Sequence, residues 1–158
     1  MKNYVLSILV ENKFGVLARV AGLFSARGFN INSLAVAETE SPDTSRMTIV
    51  VNANEKTFEQ VKKQLNKLID VVSIQDFTKK DFIDREILLL KITLTAQNRS
   101  HIIEVVEILE GSILHVGLKS VCVEIVGNKD KILTALKLLK PYGIKEVMRT
   151  GVIAIGKE

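Results

Sequence analysis

The chain has 158 residues, 47% hydrophobic and 25% charged, with a formal net charge of +4. That balance describes a globular protein with an apolar core and excludes a disordered one. Residues 1–78 hold 9 Lys/Arg against 8 Asp/Glu and residues 79–158 hold 13 against 10, so neither half carries the basic stripe of a nucleic-acid protein.

Residues 3–11 alternate as a strand, with Tyr4, Leu6, Ile8 and Val10 on one face. After the turn Asn12-Lys13-Phe14-Gly15, residues 16–27 place Val16, Leu17, Val20, Leu23 and Phe24 on one helical stripe that stops at Gly28. Residues 32–40 and 45–53 read as a hairpin around Ser-Pro-Asp-Thr. Residues 55–69 repeat Phe58, Val61, Leu65 and Leu68 at helical spacing, and residues 70–78 return to strand. The order is β-α-β-β-α-β, a ferredoxin-like plan. A polar linker, 79–85, follows.

The same order then repeats: a strand at 86–95, a helix at 98–110, strands at 112–119 and 120–127, a helix at 129–140 and a strand at 145–156. The expected class is α+β, two ferredoxin-like domains in tandem with antiparallel sheets and helices on one face. Small domains with open sheets leave edge strands, which favours dimerisation.

No apolar run reaches the roughly 20 residues that span a bilayer. The single cysteine, Cys122, lies in the apolar run VCVEIV and reads as a buried reduced thiol of a cytosolic protein.

The Asn12-x-x-Gly15 turn puts backbone N–H groups at a helix N-terminus, where a carboxylate binds well. The N–H groups of Gly15, Val16 and Leu17 are the candidate donors, and the Asn12 amide offers donors and acceptors. The same turn reads equally as an ordinary helix entry. Downstream, Asn30 and Asn32 are turn formers by default.

Catalytic motifs are missing. His101 and His115 lie far apart with no metal-ligand spacing, and neither a phosphate loop nor a dinucleotide fingerprint occurs. Glu104, Glu107 and Glu110 read as a solvated helix face. RNA-recognition domains share the fold plan but stack bases on strand aromatics. The corresponding strand here, SRMTIVVN, has none.

The segments LVENKFGVLARVAGLFSARGFNINSLAV, SRMTIVV, REILLLKI and RTGVIAIGK resemble, in order, those of the small regulatory subunits of acetolactate synthase (acetohydroxyacid synthase). The resemblance implies an N-terminal ACT domain at 1–78 and a C-terminal ferredoxin-like domain at 86–158, with no active site and no cofactor. Its implied partners are a second copy of the chain and a large catalytic subunit, which would hold thiamine diphosphate, magnesium and flavin. The implied effector is a branched-chain amino acid, chiefly valine. Carried over by position, its site falls on Asn12, Gly15, Val16, Leu17 and Ala18 of one chain, with Asn30 and Ile31 of the partner. Phe14 stands where the family often has a small polar residue, and Ala18 where it often has Ser. A free-standing ACT-type amino-acid sensor is the alternative reading.

Overall fold

A computed structural model describes residues 2–157. These residues form two compact units. The first runs to Ile83 and resumes at Val152; the second is Asp84–Gly151.

In the first unit the strands are β1 (Lys2–Glu11), β2 (Ile31–Glu38), β3 (Thr44–Ala53) and β4 (Val71–Asp76), with helices α1 (Val16–Ala26) and α2 (Glu55–Leu65). The sheet order is β2-β3-β1-β4, antiparallel throughout. Alternation dictates the core: Tyr4, Leu6, Ile8 and Val10 pair with Val51, Ile49, Met47 and Ser45 across β1 and β3. Against this face pack Val16, Val20 and Phe24 of α1 and Phe58, Val61 and Leu65 of α2. Tyr4 stacks on Phe58 with ring centres 3.9 Å apart. Burying an aliphatic or aromatic side chain of this kind contributes about 1.5–3 kcal/mol.

Helix α2 ends four residues before the periodicity predicts. From Lys67 onward the bonding tightens to three-residue spacing, with Lys67 N–H donating to Gln64 O and Leu68 N–H to Leu65 O. Leu68 keeps its apolar contact from a turn rather than a helix.

The second unit repeats the plan with β5 (Phe82–Thr93), α3 (Arg99–Ile108), β6 (Ser112–Val116), β7 (Ser120–Gly127), α4 (Lys129–Leu139) and β8 (Ile144–Arg149). Its sheet order is β6-β7-β5-β8. Leu88, Leu90 and Ile92 with Val121, Val123 and Ile125 face Ile102, Val106, Ile132 and Ala135 of the helices. Glu86 is buried on the same strand and is held by the Arg149 guanidinium at both oxygens, Nη2 to Oε2 at 2.9 Å. Cys122 lies on the opposite face of β7, so it is half-buried rather than buried.

Two expectations at the ends of β5 and β8 change. The polar linker is shorter than 79–85, because Phe82 already belongs to β5 and stacks on Phe77 at 5.1 Å. The last strand, expected at 145–156, is two strands: β8, and β9 (Ile153–Gly156). Thr150 and Gly151 break it, Gly151 with a left-handed φ of 79° that a continuing strand cannot contain. The segment from Val152 belongs to the first unit, although its sequence position follows the second repeat. Among the described residues no helix is long and apolar enough to cross a membrane.

Candidate functional site

The turn after β1 is held from both sides. Asn12 N–H donates to Asp43 O at 2.7 Å, and its Nδ2 donates to Glu38 Oε1 at 3.0 Å and to Pro42 O at 2.9 Å. Both amide protons are therefore used within the β2–β3 hairpin. What Asn12 has left is its Oδ1, an acceptor suited to an ammonium rather than a carboxylate.

Gly15 closes the turn at φ 81° and serves as the N-cap of α1 without a side-chain cap. Helix α1 thus begins with uncapped first-turn donors. Val16 N–H makes a long turn bond of 3.3 Å to Lys13 O, which leaves Gly15, Leu17 and Ala18 as the less engaged amides of the predicted cradle. Val16 turns its side chain into the core at 3% exposure, so it offers only backbone at the surface. Leu17 is 43% exposed and Phe14 fully so, and Ala18 is exposed too. Lys13 pairs with Glu11 at 2.7 Å, and that hydrogen bond raises its pKa above the ordinary lysine value.

One group beside this turn was not singled out from the sequence. Arg19 donates from Nε to Asp70 Oδ2 at 2.8 Å, with Nη2 equally close. Its Nη1 lies 3.1 Å from where a Cβ on Gly15 would stand. A basic residue one helical turn after the glycine was the available signal.

Asn30 and Ile31 sit at the other end of α1. Eleven helical residues separate the two places, about 16 Å at 1.5 Å per residue. The sheet gives the same answer: Ile31 pairs with Val51, opposite Tyr4, whereas Asn12 follows Glu11 at the far end of β1. Asn30 is exposed and Ile31 half-buried against the core. Within one chain the two predicted halves of the site do not meet.

A cavity of about 280 Å³ elsewhere on the first unit is lined by Tyr4, Phe58, Lys62, Asp76 and Lys79 among others. Three of its charges are spent on each other: Lys62 Nζ lies 2.6 Å from Glu59 and 2.7 Å from Asp76, and 5.0 Å above the Phe58 ring. Burial opposes both charges, but the Lys62–Asp76 hydrogen bond, with Thr78 on Asp76 and Glu59 on Lys62, lowers the Asp76 pKa and raises that of Lys62. It reads as a lid over the Tyr4–Phe58 stack. His101 and His115 are both exposed, and among the described residues no cluster of three or more His, Cys, Asp or Glu is placed to hold a metal.

A βαββαβ unit whose first helix opens on an uncapped turn, followed in the chain by a second βαββαβ unit, defines the class: a tandem ferredoxin-like α+β protein. Residues 6–73 match the family model described as the AHAS small subunit-like ACT domain, and residues 85–158 match that of the small subunit of acetolactate synthase. The chain is 46% identical over 156 residues to the acetolactate synthase small subunit of Mycobacterium bovis, covering 99% of this chain and 93% of that one. It is 45% identical over 152 residues to the probable acetolactate synthase small subunit of Archaeoglobus fulgidus, covering 96% and 95%. The crystal structure of the acetolactate synthase small subunit from Thermotoga maritima matches with a TM-score of 0.91 at 36% identity, over 100% of this chain and 99% of that one. The chain belongs to the acetolactate synthase small-subunit family.

Proposed function

We propose that this chain is the regulatory subunit of an acetolactate synthase, stimulating a separate large catalytic subunit and conferring feedback inhibition by a branched-chain amino acid, chiefly valine. In this reading the chemistry, with thiamine diphosphate, magnesium and flavin, belongs to the large subunit, and this chain contributes recognition and coupling.

The observation that carries the site is that its two halves lie at opposite ends of β2. This strand is an edge of the first sheet. Asn12 is tied to Glu38 at one end of β2, and Asn30 precedes Ile31 at the other. Two copies pairing antiparallel through β2 about a two-fold axis would bring the Asn30 end of one to the Asn12 end of the other. Each pocket would then hold the effector carboxylate on the α1 amides, its ammonium between Asn12 Oδ1 and the partner's Asn30, and its side chain against Leu17 and Ile31. Dimerisation would complete the site, and the effector would act by favouring one arrangement of the pair. Coupling free energies of this kind are about 1–3 kcal/mol.

Calorimetric titration of valine, leucine and isoleucine tests the reading. Valine binds with heat, and Gly15→Asp, which sets a carboxylate against the effector's own, abolishes binding. If none of the three binds at about millimolar concentration, the sensor reading fails.

A further inference from the structure

With both helices on one side, the opposite face of the first sheet is the side that a two-layer unit leaves wet. Ser7 and Thr48, cross-strand partners on that face, are nevertheless only 1% and 4% exposed, and Val50 is 9% exposed. What covers them is the chain's own last segment. Val152 N–H donates to Ser33 Oγ at 3.0 Å, and Ala154 N–H to Thr48 Oγ1 at 3.4 Å, across 119 and 106 residues of sequence. Lys157 N–H donates to Asp81 O at 3.1 Å.

The face is built to receive a backbone. Ser33, Ala35, Thr48 and Ser7 are small, so a strand can approach closely, and two of their hydroxyls accept its N–H groups. Those groups come from residues two apart, which share one edge of a strand. Ser7 itself is satisfied from the side by Arg46 Nη1 at 3.2 Å. This also explains why SRMTIVVN carries no aromatic: its outward side chains seat a strand of this chain, not a base.

The seat is light. Only Ala154 of β9 is buried, while Ile153 and Ile155 remain 57% and 67% exposed. It also adjoins the proposed effector contacts. Ser33 stands two residues after Ile31, and the β2–β3 register shifts between them, leaving Asn32 as a bulge at the joint. The chain leaves the first unit after Ile83 and returns to it at Val152, so β9 is the second covalent anchor of the 84–151 segment.

We propose that the open face of the first sheet is a strand-binding site occupied by residues 152–157, and that this clasp reports effector occupancy at Asn30–Ile31 to the rest of the chain. The coupling half rests on the effector reading given above; the seat does not.

Amide exchange on the full chain tests the seat. In Ser33→Ala/Thr48→Val, exchange at Val152 and Ala154 accelerates about tenfold or more, while amides of β1 keep their protection. Unchanged exchange at those two positions overturns the seat. For the coupling, the same variant in complex with the large subunit binds valine within about threefold of wild type but needs several-fold more valine for half-inhibition, within the roughly 5- to 150-fold range of such coupling. A chain ending at Gly151 shows the same loss, and a synthetic peptide of residues 150–158 added in trans restores inhibition. Wild-type inhibition in both variants overturns the coupling. Failure of valine to bind the wild-type chain overturns the effector reading and the coupling together, and leaves the exchange result on the seat standing.

Discussion

Two glycines seven residues apart on either side of the start of α1 make opposite demands, and the same substitution at each tests the account of the turn. Gly15 has φ 81°, and a Cβ there would lie 3.1 Å from Arg19 Nη1. An L-residue in this region costs about 1–2 kcal/mol. The Arg19 contact adds little, because the far end of a flexible side chain can move, though moving it disturbs the pair with Asp70. Gly22 lies inside α1 with nothing within 4 Å of its Cβ position. Ala there removes backbone entropy from the unfolded chain and stabilises by about 0.5–1 kcal/mol. The two variants should differ by about 1.5–3 kcal/mol with opposite signs relative to wild type. Denaturant titration of the ligand-free protein measures this, with exchange of β1 and β3 amides assigning the transition to the first unit. Gly15→Ala should also weaken valine binding, and Gly22→Ala should not. A neutral or stabilising Gly15→Ala would refute the left-handed turn and the cradle built on it.

Other consequences follow from the ion pairs and the hairpin. Arg149→Met leaves Glu86, whose side chain is 1% exposed, as an uncompensated buried charge; with Arg149 itself 40% exposed, the loss should fall at the low end of about 3–5 kcal/mol, and Glu86→Gln should cost less. Acid titration of stability should separate wild type from Asp76→Asn. The folded pKa of Asp76 lies below its ordinary value of 3.8, so its contribution is present above about pH 4 and lost as pH falls through the folded pKa; wild type should therefore lose more stability below pH 4 than the variant, and parallel curves would contradict the Lys62 and Thr78 bonds. Asn12→Asp places a carboxylate opposite Glu38 and Pro42 O, so valine affinity should fall about tenfold or more, measured by calorimetry, whereas Lys13→Ala on the exposed side of the turn should change it little.

The regular elements were legible because both periodicities were strong. Alternation at Tyr4–Val10 and at Leu88–Ile92, and helical spacing at Val16–Phe24 and Phe58–Leu65, describe burial, and burial is what they found. Misjudged boundaries lie where something other than local pattern decides. Leu68 stays apolar and packed from a turn, so its spacing extended the helix too far. Thr150-Gly151 reads as a dip within a strand, but the left-handed Gly151 sends the chain back to the first unit. The residues of the turn were legible too, from Asn12 and Gly15. Their commitments were not: which Asn12 protons are free depends on Glu38 and Pro42, 26 and 30 residues away, and Arg19 enters through Asp70, 51 residues away. The apolar neighbours of Cys122 predict a buried thiol, whereas strand alternation puts it on the other face of β7.

The central claim is that this chain regulates a catalytic large subunit through an amino-acid site at the start of α1. Initial rates of acetolactate formation by an acetolactate synthase large subunit, with and without this chain and across a valine titration, test it most directly. The account predicts several-fold stimulation by the wild-type chain, progressive inhibition by valine, and stimulation without valine inhibition for Gly15→Asp. A large subunit whose rate does not change on adding the chain, or a Gly15→Asp complex inhibited like wild type, would contradict it.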